Sequence, residues 1–227
     1  MATDSFAVLS ALLQWSPALL AGFGQNILIS LLAIAIGSVL GLLIGALALS
    51  PLGFVALLWV QVFRNAPWLV LIYFTTYVFP FEIHIGNSYV SFPDWVKVTL
   101  GLALPASANV AEIFRGAIGS IPSTQWEAAR SLAFTRGQLF RSIILPQCFK
   151  RMLPPWMNLY AVVTMGTALA SLVGVHDVID TAQIASNTVN MTGFTVVIYL
   201  SLLVLFFAYC YPISRLTQHL ERRYAFY

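Results

Sequence analysis

The sequence runs to 227 residues, of which 59% are hydrophobic and 8% charged, with a formal net charge of +3. A soluble globular domain carries about 25% charged residues, so this composition excludes a wetted globular surface. Apolar runs of roughly 20 residues recur instead, the length that crosses a bilayer as a helix, and the absence of about 10-residue alternating segments disfavours a membrane barrel.

Residues Met1–Asp4 lack the basic start of a cleaved signal, and Gln14 and the Ser16–Pro17 step interrupt Phe6–Leu20. Residues 1–23 therefore read as a short amphipathic helix lying at the membrane interface. The first span is Ile27–Leu49, which carries no charge and ends in the turn-forming Ser50-Pro51-Leu52-Gly53. Within it Gly37, Gly41 and Gly45 stripe one helix face, where a second backbone can approach closely. Packing inside the subunit and a seam between subunits both suit that stripe. The second apolar stretch, Phe54–Phe79, is interrupted at Arg64-Asn65-Ala66-Pro67, where proline predicts a kink. A polar loop, Pro80–Asp94, precedes a third span over Trp95–Ile118. The fourth runs over Leu153–Gly174, opening with Pro154-Pro155, and the fifth over Phe194–Ile213. The expected fold is thus an all-α integral membrane protein of five transmembrane helices. Cys148 and Cys210 lie far apart in or near apolar segments, and nothing suggests a disulfide framework or a metal site.

Orientation follows from the cations. Arg115, Arg130, Arg136, Arg141, Lys150 and Arg151 cluster after the third span, and Arg215, Arg222 and Arg223 follow the fifth. Two spans separate the blocks, so both fall on one side, expected to be the cytoplasm. The other side carries Asp4, Glu82, Asp94, Asp177 and Asp180, with Lys97 the one nearby cation. The amino terminus is expected outside and the carboxyl terminus, with a tail over 217–227, inside.

Residues 119–151 are too polar to cross a membrane. Thr124-Gln125-Trp126-Glu127 has the form of a capping box, predicting a helix from Gln125 to about Leu132. A second box, Thr135-Arg136-Gly137-Gln138, predicts another helix to about Leu145-Pro146. Two short helices joined by a tight turn would project rigidly from the membrane. Such a projection can transmit movement from an attached machine.

Several motifs then fall in order: Arg64-Asn65-Ala66-Pro67-Trp68-Leu69-Val70, Ala111-Glu112-Ile113-Phe114-Arg115-Gly116, Glu127-Ala128-Ala129, Phe140, Ile143-Ile144-Leu145-Pro146-Gln147, Leu169-Ala170-Ser171 before Gly174-Val175, and Leu220-Glu221-Arg222-Arg223. Together they resemble the permease subunits of bacterial ABC importers, and more narrowly the polar amino-acid branch that takes up histidine, glutamine, arginine and opines. The likeness runs from about Gly24 to Arg223. It implies a type I importer transmembrane domain over 24–216 in the bacterial cytoplasmic (inner) membrane, with its coupling segment at 119–151. In that family the coupling helix sits in a groove of a separate ATP-hydrolysing subunit. Trp126, Glu127, Ala128, Ala129, Arg130 and Ala133 are the candidate coupling residues.

The resemblance further implies a dimer of ATP-binding subunits, a second permease, an external solute-binding protein and surrounding lipid as partners, and no nucleic acid. ATP and Mg would belong to the ATPase. This chain would bind no cofactor and carry no catalytic residue, and it has no glycine-rich phosphate loop.

Departures from the family pattern matter. Ala133 stands where glycine is usual; if that turn is left-handed, alanine costs on the order of 1 kcal/mol. Ser123 and Thr124 replace a lysine and a glycine, and Ala66 a threonine. Met165-Gly166-Thr167-Ala168-Leu169 stands where the branch has Lys-Asp-Thr-Ser-Leu, a stretch that helps hold the amino-acid backbone in relatives that bind solute in the membrane. The expectation is a non-solute-binding half of a permease heterodimer; a homodimer with a drifted solute site is the alternative.

Arg64 and Glu112 are expensive at membrane depth unless paired or wetted. They are expected to pair or to line the solute path, with Asn109, Thr167 and Ser171 as further path or helix-pairing candidates and Ser107 nearby. Residues 176–192, with apolar positions at helical intervals, read as an external gating helix or an interfacial cover. An intramembrane hydrolase is the reading of another class, but Ser171 and His176 lack a nucleophile-elbow context, and His84 and His219 fall on opposite sides. A channel or scaffold leaves the projecting segment without a purpose.

Overall fold

The computed structural model describes residues 2–85 and 88–224. Position 1, positions 86–87 and the last three residues lie outside the described part, and with them the extreme ends of the expected amino-terminal segment and carboxyl-terminal tail and the middle of the expected 80–94 loop.

Helix α1 spans Ala2–Leu47, 46 residues without a break. Pro17, expected to interrupt it, is absorbed. A proline at 17 withholds the N–H that would bond the Leu13 carbonyl, and the Ser16 hydroxyl donates to that same carbonyl at 2.8 Å. No boundary therefore separates residues 1–23 from the first span in the backbone. After the Ser50–Gly53 turn, α2 covers Gly53–Asn65 and α3 covers Trp68–Val78. The two meet at 104°. Pro67 forces Ala66 into extended geometry, φ −74° and ψ 138°, and the helix stops there.

The segment expected as a polar loop is partly a β-hairpin, the one departure from all-helical structure among the described residues. β1 (Glu82–Ile85) pairs antiparallel with β2 (Ser88–Ser91), Glu82 opposite Ser91 and Ile85 opposite Ser88. A Gly86-Asn87 pair between two short runs that carry Ile83, Ile85, Tyr89 and Val90 is hairpin chemistry.

α4 (Asp94–Gly119) is the centre of the bundle. Val98, Leu102, Ala106 and Val110 are all but fully buried. α1, α2, α3 and α7 pack round it. The glycine stripe of α1 lets that helix approach α4 closely. A Cβ at Gly37 would stand 2.7 Å from the Ala106 Cβ, one at Gly41 2.5 Å from the Ser107 carbonyl oxygen, and one at Gly45 2.7 Å from Phe114 Cδ1. Here the stripe serves packing inside the chain.

α5 (Ser123–Ser131) and α6 (Arg136–Leu139) follow, then a π-helical turn (Phe140–Ile144) that leads directly into α7 (Leu145–Gly166). The expected helix end at Leu145-Pro146 does not occur. In the π-turn the Leu145 N–H bonds back five residues to Phe140, and Pro146 falls in the first turn of α7, where a missing N–H is tolerated. Pro154-Pro155, expected to open the fourth span, lie inside α7. A 3-10 segment (Thr167–Val173) extends α7 and ends at Gly174, whose φ of +84° suits only glycine well. α8 (Val178–Val189) and α9 (Thr192–Tyr224) complete the chain.

Among the described residues three runs are individually long and apolar enough to cross a membrane: Phe6–Leu47, Arg136–Val173 and Thr192–Tyr224. The bent α2–α3 pair makes a fourth if taken as one. α4 falls short because Asp94, Lys97, Glu112 and Arg115 lower its apolarity; being the most enclosed helix, it presents little surface that must match lipid.

Candidate functional site

The projecting segment is a compact pair of helices on an apolar seat. Helix α5 begins two residues earlier than expected. Pro122, at φ −56° and ψ 140°, occupies the N-cap, no side chain caps the helix, and the Gln125 N–H reaches the Pro122 carbonyl. Thr124 is thus inside the first turn and cannot act as the expected cap. The second box forms: the Thr135 hydroxyl accepts from the Gln138 N–H at 3.4 Å, and Gln138 Oε1 accepts from the Thr135 N–H at 3.0 Å.

The turn between them rests on Ala133, whose φ is +55°. The Phe134 N–H bonds the Ala129 carbonyl and the Ala133 N–H bonds the Arg130 carbonyl. This is the paired pattern of a Schellman motif, with alanine in the left-handed position that glycine fits at least cost.

The coupling candidates divide by exposure. Ala129 is buried at 1% among Ile121, Leu139, Ile144 and Cys148, so it seats α5 on the bundle and presents nothing outward. Glu127, Ala128, Arg130 and Ala133 are exposed, and Trp126 is half-buried. Trp126, Arg130, Phe134, Arg136, Leu139 and Phe140 line a groove of about 450 Å³. Burial pushes the Cys148 thiol beneath this seat above its ordinary range. Arg151 ties α7 to the end of α4 by donating from Nη1 to the Ser120 carbonyl at 2.6 Å and to its hydroxyl at 2.9 Å.

A second set of residues gathers at the α2–α3 bend. Arg64 Nη1 stands 3.7 Å from Glu112 Oε1. Arg115, read from sequence as an orienting charge and as part of the Ala111–Gly116 motif, grips the same carboxylate as a fork, its Nε donating to Oε2 at 3.0 Å and its Nη2 to Oε1. Two guanidiniums on one carboxylate leave the cluster a net positive charge, with Arg64 half-exposed. Ser107 does join helices, accepting from Trp59 Nε1 at 3.0 Å, whereas Asn109 donates to the Pro105 carbonyl of its own helix at 2.8 Å.

The Met165–Ser171 stretch is drawn elsewhere. Met165 is exposed. Gly166 receives the ring of Trp68: a Cβ there would stand 2.8 Å from Cζ3 and 2.9 Å from Cε3. Thr167 is fully buried, accepting from Asn26 Nδ2 at 3.1 Å and donating to the Thr164 carbonyl at 2.6 Å. The Ser171 hydroxyl donates to the Ala168 carbonyl, while His176 pairs with Asp180 at 2.7 Å, so each half of the disfavoured hydrolase pair is engaged locally.

Sequence reasoning missed Asn26 and the burial of Asp177 and Lys97. Lys97 is fully enclosed, donating to Asp94 Oδ1 at 3.1 Å and lying 3.5 Å from the centre of the Phe81 ring. Asn26 and its neighbour Gln25 are legible as two amides within a run that carries no charge after Asp4, where a polar group needs a partner. Among the described residues no three His, Cys, Asp or Glu side chains converge as a metal site requires.

The family of binding-protein-dependent transport system inner membrane components matches residues 37–226. A probable amino-acid ABC transporter permease protein, YckA of Bacillus subtilis (strain 168), is 31% identical over 214 residues, 93% of this chain and 91% of that protein. The octopine transport system permease protein OccM of Rhizobium meliloti is 34% identical over 179 residues, 75% of this chain and 73% of its own length. In three dimensions the chain superposes on a crystal structure of an amino acid ABC transporter with histidines at a TM-score of 0.81 and 27% identity, covering 93% of this chain and 96% of that one.

Proposed function

The chain belongs to the family of binding-protein-dependent transport system inner membrane components, and from that premise we propose that it is the permease subunit of an ATP-driven importer for a polar amino acid or a close analogue. The cargo class follows the relatives, which are named for amino acids and octopine. The observation that carries the coupling role is the α5–α6 pair. Its buried Ala129 and left-handed Ala133 fix a rigid knob that presents Glu127, Ala128 and Arg130 to whatever docks there.

In this reading five crossings are made by α1, the α2–α3 pair, α4, α7 and α9. The amino terminus lies outside, α1 projects beyond the outer interface as a continuation of the first crossing, and the tail from 217 is cytoplasmic. Residues 24–216 form the transmembrane domain, with the coupling segment at 119–151. The chain hydrolyses nothing. A separate pair of ATPase subunits binds ATP and Mg and drives the knobs, rocking the bundles so that access alternates. A soluble binding protein delivers cargo from outside. Arg64, Glu112 and Asn109 line the path or brace it.

We assign the chain to the non-solute-binding half of a permease heterodimer. Support comes from Met165 and Gly166, which offer no charge to a zwitterion, and from Trp68, whose indole fills the space beside Gly166.

Affinity-tagged chain extracted with its complex, reconstituted in vesicles and supplied with a radiolabelled L-amino-acid mixture, the binding protein and ATP tests the reading. ATP-dependent uptake is expected, together with crosslinking of a cysteine placed at Ala128 to an ATPase subunit. Uptake without ATP, or a crosslink to no nucleotide-binding chain, overturns it. Loss of uptake on substituting Met165, as complete as that from disabling the sister subunit's site, overturns the heterodimer assignment alone.

A further inference from the structure

One side chain closes a loop between two elements. Asn26 of α1 is fully buried, and its Nδ2 donates both to Thr167 Oγ1 at 3.1 Å and to Asp177 Oδ2 at 3.0 Å. Its Oδ1 accepts from the Val178 N–H at 3.1 Å. Thr167 begins the 3-10 segment; Asp177 is the N-cap of α8, accepting from the Asp180 N–H at 2.9 Å through Oδ1. Both ends of residues 167–178 are thus fastened to a single amide. Gly22, one turn earlier on α1, permits the approach: a Cβ there would lie 2.8 Å from the Asp177 carbonyl carbon and oxygen and from the Val178 nitrogen.

The carboxylate is an expensive choice. Asp177 is fully buried with no cation among its hydrogen-bond partners, and an unpaired buried charge is costly. Burial pushes its carboxyl above the ordinary range. The charged groups near it are Asp180 and His176, which pair with each other; α1 beyond residue 4, the 3-10 segment and α9 down to Tyr211 contribute no acid or base other than tyrosine and cysteine. Asparagine would cap α8 as well as aspartate does. What aspartate adds is an acceptor facing Asn26 Nδ2, so the pair is directional.

We infer that Asn26, Thr167 and Asp177 are positioning residues that link the external helix α8 to the 3-10 segment, so that displacement of α8 by the loaded binding protein shifts the segment flanking the solute path. The inference rests on the five crossings of the proposed function for the placement of α8 outside, and takes Thr167 and Ser171, path candidates from the sequence, as residues beside the path. A 3-10 run ending in a left-handed glycine suits this role, since its weaker hydrogen bonds let it move between rigid helices.

Three variants of the full complex test it: Asp177→Asn, the swap Asn26→Asp with Asp177→Asn, and Thr167→Val. Asp177→Asn sets two amide donors against each other. The swap restores an acceptor opposite a donor between positions 26 and 177 while conserving charge, and the Thr167 hydroxyl, which accepts from Asn26 in the native protein, must turn to donate to the new carboxylate. For uptake of the radiolabelled amino-acid mixture, Asp177→Asn is expected to raise KM about tenfold, the scale of one hydrogen bond to a charged group, with a smaller change in maximal rate. The swap should recover most of that loss. Equal falls in both parameters without rescue by the swap, or no change at all, overturn the inference.

Hydrogen exchange supplies an arm independent of transport. Asp177→Asn must speed exchange at 167–173 as well as in the first turn of α8, and Thr167→Val must do the same at α8. Acceleration confined to the substituted element overturns the linkage. Wild-type complex that exchanges as expected but shows no ATP-dependent uptake would sink the proposed function and leave the linkage standing.

Discussion

The indole of Trp68 rests against the bare Cα of Gly166, joining the start of α3 to the end of α7 where a side chain at 166 would collide with Cζ3 at 2.8 Å. The two positions are therefore one packing decision. Gly166→Ala should destabilise the protein by about 1–3 kcal/mol through overpacking, and Trp68→Leu by a similar amount through the void it leaves. The double variant should cost less than the sum by about 1 kcal/mol, because each change relieves the other. Thermal unfolding in detergent across the four proteins measures this; strict additivity would refute the contact.

Ala133 holds a left-handed conformation at the C-terminus of α5. Replacing it by glycine removes the Cβ strain while leaving the Schellman bonds intact. Ala133→Gly should stabilise the projection by about 1 kcal/mol, a rise of a few degrees in melting temperature. A fall would mean that the alanine methyl makes a contact worth more than the strain.

Gly41 has the closest approach of the α1 stripe, with a built Cβ only 2.5 Å from a backbone oxygen of α4. Backbone cannot turn aside as a side chain can. Gly41→Ala should therefore cost more than the same change at Gly24, where nothing lies within 4 Å. Both placed in the full chain and compared by melting temperature decide the point, and equal effects would count against the packing.

Cys148 is fully buried beneath the projection, and desolvation raises its thiol pKa. The sign follows directly: the thiolate is the disfavoured form, so at pH 8 a smaller fraction is ionised than for a free thiol. Alkylation of Cys148 by iodoacetamide should be slow in the folded protein, should rise with pH only well above 8, and should reach the rate of a free thiol on unfolding. Fast labelling at neutral pH would show that the α5–α6 pair lifts off its seat.

Much of this was legible because the deciding signals are local. The break at Ala66-Pro67, the capping box at Thr135–Gln138 and the left-handed turn at Ala133 each arise from two to four adjacent residues. Proline elsewhere misled. Pro17, Pro146 and Pro154-Pro155 all suggested helix ends, but Ser16 satisfies the carbonyl freed by Pro17 and a π-turn accommodates Pro146. Thr124 looked like a cap, but Pro122 sets the entry two residues sooner. Hairpin signals flanking Gly86-Asn87 were present and overlooked. The Asn26–Asp177 bond, across 151 positions, has no local signature. The principle that an amide in an apolar run must find a partner applies equally to Gln25 and so does not single out Asn26. At the candidate path the sequence rightly flagged Arg64 and Glu112 as interdependent; it did not anticipate that Arg115 would claim the better share of the carboxylate.

The unbroken length of α1 has a practical corollary. At 1.5 Å per residue its 46 residues reach about 69 Å, and even a tilt of 40° leaves a vertical extent of about 53 Å against roughly 30 Å of hydrocarbon. No charge interrupts the helix after Asp4, and Phe6, Leu9, Leu13 and Leu20 all point away from the rest of the chain. Some 20 Å of greasy rod must accordingly be clothed by headgroups or by a neighbouring chain. Solubilised alone, this subunit will demand an unusually tall amphiphile belt, and stripping that belt will make the rods stick to one another before the bundle itself melts.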